Sequence, residues 1–187
     1  MKVLKFGAKS LANGEGIQRV IDILSDKVKQ QEAVLVVVSA RGNATASLME
    51  LLEKAKKGED YQTDFEAFKT YQQEPLPKID FTEEFTFLGR IFEGVHLLGD
   101  YTLKIKDLVI SYGELLSGKL VTALLKEEGV GAKYVDSREL FKTDKSYGEA
   151  TLREDITKQS IKGYFGKVDF TKEVPVVTGF VGITLDG

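Results

Sequence analysis

Residues 33–38, Ala33-Val34-Leu35-Val36-Val37-Val38, form an unbroken apolar run dominated by β-branched side chains. Continuous rather than alternating hydrophobicity marks a strand covered on both faces, the usual situation in a parallel sheet between helices. A parallel neighbour requires a crossover connection, and the flanking sequence supplies one. Residues 2–6 read as a buried strand, after which Asn13, with Glu15 in the first turn, caps a helix carrying Ile17, Val20, Ile21, Leu24 and Val28 at helical spacing. Beyond the run, Ser39-Ala40-Arg41-Gly42-Asn43 turns into a helix expected from about Thr45 to Lys57 and closed by Gly58. The βαβα order predicts an α/β fold.

The remainder is read in the same way. From Tyr61 to Gly99 the chain is helical, broken at Pro75 and Pro77, with Phe65, Phe68 and Tyr71 on one face and then Phe81, Phe85, Leu88, Phe92 and Val95 at alternating spacings of four and three. These aromatics are read as core. Leu103–Ile110 and Leu115–Leu125 are helical around Gly113, Ala132–Val135 is a short strand, 151–163 a helix and Val174–Thr178 the last strand. Gly179–Gly187 is expected to begin a turn or hairpin. No repeat, low-complexity tract or linker interrupts the chain.

With 42% hydrophobic positions, 187 residues can enclose a sizeable core as one domain or most of one. A net charge of −3 gives no basic field for nucleic acid. The absence of cysteine removes disulfide and thiolate chemistry, and with His96 as the sole histidine a Cys/His metal site is excluded. No leader and no apolar run approaching the ~20 residues of a membrane span are apparent, so no membrane partner and a cytoplasmic location are expected.

Three segments carry candidate chemistry. In Val3-Leu4-Lys5-Phe6-Gly7-Ala8-Lys9-Ser10, a lysine ends a strand and a small-residue turn leads to a helix, which can place an ammonium and backbone N–H groups around a phosphate. The plainer alternative is a strand-end lysine reaching solvent. Ser39 to Thr45 ends the second strand and reads from its position as a βα loop in which Ser39 or Thr45 caps the next helix. Glu114, after Ser111-Tyr112-Gly113, reads from its position as a solvated glutamate in the first turn of a helix, where the helix dipole favours it. Gly113 to Lys119 also fits G-x-x-x-x-G-K, but Leu120 occupies the Ser/Thr position and Glu-Leu-Leu favours helix over loop. Gly14-x-Gly16 lacks the third glycine of a dinucleotide fingerprint, having Arg19 there.

Together with Val174-Pro175-Val176-Val177-Thr178-Gly179-Phe180-Val181-Gly182, these segments resemble, in order and near-family spacing, the N-terminal part of the catalytic domain of aspartokinases, members of the amino-acid kinase family. The resemblance spans essentially all 187 residues. It implies a three-layer αβα, carbamate kinase-like fold with a mostly parallel sheet, residues 1–187 forming its amino-acid acceptor part. The implied reaction transfers the γ-phosphoryl of Mg-ATP to the β-carboxylate of L-aspartate, giving 4-phospho-L-aspartate, the first step of lysine, threonine and methionine biosynthesis. An acceptor carboxylate is already ionised near neutral pH and needs no general base.

The family motif Lys-Phe-Gly-Gly-Thr-Ser keeps Lys5, Phe6, Gly7 and Ser10 and departs at Ala8 and Lys9. The resemblance makes Lys5 catalytic and Lys5, Gly7, Ala8, Lys9 and Ser10 the nucleotide-facing turn. Ala8 would be strained if a positive φ were needed there, and Lys9 could either add a phosphate contact or obstruct one. Ser39, Ala40, Thr45, Glu114 and Phe180 become the aspartate site, with Glu114 on the α-ammonium. Tyr147-Gly148-Glu149-Ala150 resembles a family loop near it. No protein metal ligand is implied, and Mg²⁺ accompanies ATP. The family's later Leu-Gly-Arg-Gly-Gly-Ser-Asp loop, the nucleotide-binding half and the regulatory domains do not occur within 1–187. The chain alone is therefore expected to be inactive, part of a homo-oligomeric parent, or else a non-catalytic remnant that binds a partner or small ligand.

Overall fold

The computed structural model describes residues 1–187. Its chain opens with β1 (Lys2–Phe6), a 3-10 turn (Ala8–Leu11), α1 (Gly14–Lys29), β2 (Val34–Val38) and α2 (Ala44–Lys57). Then come α3 (Gln62–Gln73), α4 (Thr82–Leu98), α5 (Leu103–Glu127), β3 (Ala132–Val135), α6 (Ser137–Leu140) and β4 (Lys142–Thr143). The last elements are α7 (Glu154–Phe165), β5 (Val174–Thr178) and β6 (Ile183–Thr184).

Local signals set the helix ends. Asn13 Oδ1 accepts from Gly16 N at 2.8 Å, satisfying one of the free amides of the first turn of α1. Thr102 does the same for α5 through Ile105 N. Gly58 and Gly99 close α2 and α4 in the left-handed conformation (φ 72° and 68°), which costs glycine no Cβ clash.

Four strands pair in the order β1-β2-β5-β3, all parallel, with Lys5 beside Val37 and Val38 beside both Phe6 and Thr178. One face, with Val36, Val38 and Val176, packs on α1, α2 and α5 through Ile17, Leu24, Leu48, Leu116 and Leu120. The other, with Leu35, Val135 and Val177, packs on Leu140, Ile161, Tyr164 and Phe165 from α6 and α7. This is the expected three-layer αβα arrangement. The α3–α4 pair covers α2 from outside, and its core is the aromatic set Tyr61, Phe65, Phe68, Phe81 and Phe92, with Phe65 edge-on to Phe92 at 5.1 Å.

Five expectations are corrected. β1 is not buried: it is the sheet edge, Val3 is 59% exposed, and only Leu4 and Phe6 meet the core. Helix α5 runs unbroken through Gly113, because the glycine's missing side chain is used for packing rather than for a turn. That 25-residue helix is long and apolar enough in composition to cross a bilayer, contrary to the reading of the sequence. Its apolar residues are consumed by α2, β3 and β5 instead. Finally, residues 179–187 form no hairpin, since β6 pairs parallel with β4. The helix expected over 151–163 lies at 154–165.

Candidate active site

Parallel strands deliver their following loops to one edge of the sheet, where ligands of open α/β folds bind. Here the loops after β1, β2 and β5 are stitched together by their own backbone. Ser39 N donates to Phe6 O at 3.1 Å, Gly42 N to Ala8 O at 3.1 Å, and Gly179 N to Val38 O at 2.8 Å. A Cβ on Gly179 would stand 3.0 Å from Val38 O, so a side chain there would push the third loop away.

Into this edge α5 projects Glu114. Its carboxylate is 8% exposed, and Oε1 accepts from Ala40 N at 3.2 Å. The close approach depends on the preceding residue, because a Cβ on Gly113 would lie 2.8 Å from Ala40 Cβ and 3.5 Å from Thr45 Oγ1. Burial raises the Glu114 pKa, against the weaker lowering effect of the Ala40 N–H and of a backbone N–H of Glu114 itself. No lysine or arginine contributes. A carboxylate held in this way, reached only by backbone amides, is suited to meeting a cation from outside the chain. The structure thus brings Ala40, Thr45 and Glu114 together, with Thr45 exposed in the first turn of α2 and Ser39 half-buried beside them.

The turn after β1 is arranged differently. Lys5, Gly7, Lys9 and Ser10 are exposed and Ala8 is half-buried. Gly7 has φ −81° and ψ 170°, open to any residue, and a Cβ there would meet nothing within 4 Å. The fold itself therefore does not demand this glycine, and its N–H donates to no group in the chain. Ala8 is not among the non-glycine residues at positive φ, so the strain that its Cβ threatened is not incurred. By the strand pleat, Lys5 shares the face of its neighbour Val37, whereas α5 and Glu114 lie under the opposite face. The two charges approach the carboxyl edge from opposite sides.

Phe180 is fully exposed at φ 54°, an uncommon conformation for a bulky residue. Its loop is held by a network that the sequence reading missed. Thr178 Oγ1 accepts from Ser137 N at 2.9 Å and shares a 2.8 Å bond with Ser137 Oγ, which donates to Val181 O at 2.7 Å. Arg41, also passed over, is completely buried behind the loops. Only its position in a βα loop was visible in sequence. The segment from Gly113 to Lys119 is no phosphate loop. It is helical, Gly118 packs against Thr178 and Tyr134, and Lys119 is paired with Glu84. His96 is exposed in the last turn of α4, and Tyr147-Gly148 lies by α5, where Gly148 N donates to Asp107 at 2.6 Å.

Comparison with known proteins agrees with this architecture. The chain is 27% identical over 193 residues to aspartokinase 1, chloroplastic, of Arabidopsis thaliana, covering 96% of this chain and 33% of that protein. Over 157 residues it is 28% identical to lysine-sensitive aspartokinase 3 of Escherichia coli strain K12, covering 79% of this chain and 33% of that protein. The chain thus spans only a third of the length of these curated relatives. Its fold matches E. coli aspartokinase III solved with aspartate and ADP in the R-state, with a TM-score of 0.75 at 23% identity over 99% of this chain and 42% of that one. The T-state complex of the same enzyme with lysine and aspartate gives 0.75 at 22% identity. The sequence pattern of the amino acid kinase family matches residues 1–187 throughout, and the chain belongs to that family.

Proposed function

We propose that this chain is the amino-acid-binding part of an aspartate kinase, which transfers the γ-phosphoryl of ATP to the β-carboxylate of L-aspartate, giving ADP and 4-phospho-L-aspartate. The observation that carries the reading is the uncompensated carboxylate of Glu114 at the Ala40–Thr45 loop, a position suited to an ammonium. Relatives named aspartokinases, and a structural neighbour solved with aspartate and ADP, support this substrate pair.

In this reading Glu114 holds the α-ammonium while Ser39, Ala40 and Thr45 shape the pocket beside it, and Phe180 covers the edge. Lys5 and the Gly7 N–H face the transferring phosphoryl oxygens, with Ala8, Lys9 and Ser10 completing the turn. Approach from opposite sheet faces suits in-line transfer, since donor and acceptor reach the edge from different sides. Catalysis is then positioning and charge neutralisation, with no proton to remove from the attacking carboxylate. Mg²⁺ is taken to accompany the nucleotide, and no step is assigned to it.

The test is binding, measured by calorimetry on the 187-residue chain. L-aspartate should bind, and Glu114→Gln should weaken it by ~30–1,000-fold, the loss expected of a charge-assisted pair worth about 2–4 kcal/mol. Lys5→Met should leave aspartate unaffected and weaken MgATP. If aspartate binds the Gln variant equally well, the ammonium does not meet Glu114.

A further inference from the structure

Arg41 is 0% exposed, yet it sits in the loop between β2 and α2 rather than in the core of an element. A buried guanidinium is costly unless its donors are occupied, and here the occupied donors reach two separate segments. Nε donates to Leu11 O at 3.1 Å, at the end of the 3-10 turn. Nη1 donates to Tyr71 O, and Nη2 pairs with Glu74 Oε2 at 2.8 Å, both at the carboxyl end of α3. The guanidinium also lies 3.9 Å from the centre of the Tyr71 ring, and the Tyr71 hydroxyl donates to Ala12 O at 2.7 Å. Gly42 completes the clasp with its N–H on Ala8 O and its φ of 52°; a Cβ there would fall 2.3 Å from Tyr71 Oη.

Two of the three guanidinium acceptors are main-chain carbonyls, so the rigid fork dictates backbone position rather than merely neutralising a charge. The segments it joins are the turn that carries Gly7 to Ser10 and the loop that carries Ser39 and Ala40. No hydrogen bond outside this clasp ties either of them to α3. We propose that Arg41 and Tyr71 are positioning residues: a clasp that fixes the nucleotide-facing turn relative to the Ala40–Glu114 contact and makes its geometry depend on the end of α3. This rests on the reading of residues 7–10 as phosphate-facing.

The test uses the full chain and two variants. Tyr71→Phe keeps the ring under the guanidinium and removes only the bond to Ala12, while Arg41→Lys keeps the charge and removes the fork. Amide hydrogen exchange at Ser10 and Ala12 is compared with exchange at Val36 in the sheet centre. In Tyr71→Phe the turn amides should exchange roughly tenfold faster while Val36 is unmoved, the signature of local rather than global opening. MgADP affinity should fall by a similar factor, with L-aspartate affinity unchanged. Arg41→Lys should speed exchange at Gly42 as well and weaken both ligands.

A purely structural role would accelerate Val36 together with the turn, and that result would overturn the proposal. So would turn exchange that does not change, or faster turn exchange with undiminished MgADP affinity. If the wild-type chain binds no MgADP, the nucleotide reading fails on its own account; the exchange comparison then decides whether the clasp couples α3 to the turn.

Discussion

Replacing Glu114 with glutamine should make the protein more stable at neutral pH while weakening the proposed binding of aspartate. The side chain is 8% exposed, and its only chain partners are backbone amides, so the ionised form is desolvated without a counter-charge. Glutamine keeps an oxygen for Ala40 N–H and removes the charge. Relief of an uncompensated buried charge is worth about 1–2 kcal/mol after relaxation, and a domain of this length shifts Tm by about 2–4 °C per kcal/mol, so a rise of ~2–8 °C is expected. The sign with pH follows from linkage. Because burial raises the folded-state pKa of Glu114 above the ordinary value of 4.5, the native state binds more protons than the unfolded state between the two values. Stability therefore falls as pH rises through that window. The glutamine variant has no such term, so its advantage should grow as pH rises above the ordinary carboxylate pKa and vanish below it, where Glu114 is neutral in both states. Thermal melts of both proteins from pH 4 to pH 8 measure the difference directly. A glutamine variant that is less stable at pH 7, by an amount independent of pH, would refute the reasoning, because it would mean that the charge is already compensated inside the fold.

Three further perturbations follow from the same geometry. Gly113→Ala gains helix propensity of up to ~1 kcal/mol but places a methyl 2.8 Å from Ala40 Cβ. Overpacking of ~1–3 kcal/mol should win, lowering the urea midpoint and weakening aspartate binding, and a stabilised variant would show that the Ala40 loop yields freely. Phe180→Gly should raise Tm slightly, by ~1–3 °C, since glycine adopts φ 54° without strain and an exposed ring loses no packing; aspartate affinity should fall, and unchanged affinity would remove Phe180 from the site. Thr178→Val leaves the buried Ser137 N–H without its acceptor and should cost about 1–3 kcal/mol in denaturant melts, with faster amide exchange at Val181 and Gly182.

Some of this was legible in the sequence because local physics and tertiary fold agree there. The apolar run at Val34–Val38 could only be a strand covered on both faces, and Asn13, Gly58 and Gly99 mark helix ends by chemistry that acts within a few residues. Other features belong to no local pattern. Gly113 reads as a helix breaker until the structure shows Ala40 pressing on it, and the exposure of Val3 depends on which strand lies at the sheet edge. Arg41 is the clearest case: its partners stand 30 and 33 positions away, and an arginine in a βα loop would ordinarily be assigned to solvent.

The same contrast bears on how the altered turn should be judged. Compared with the family motif, Ala8 and Lys9 look like damage to a phosphate-binding turn. In the structure Ala8 takes up an unstrained conformation, its carbonyl accepts from Gly42, and Lys9 stays exposed within a 3-10 turn. The turn is also bolted from behind by a buried arginine and a tyrosine hydroxyl. A segment that had lost its purpose would gain nothing from burying a guanidinium to hold it, because replacing such a charge with well-packed apolar groups is often neutral or stabilising. The clasp therefore argues that the position of this turn still matters.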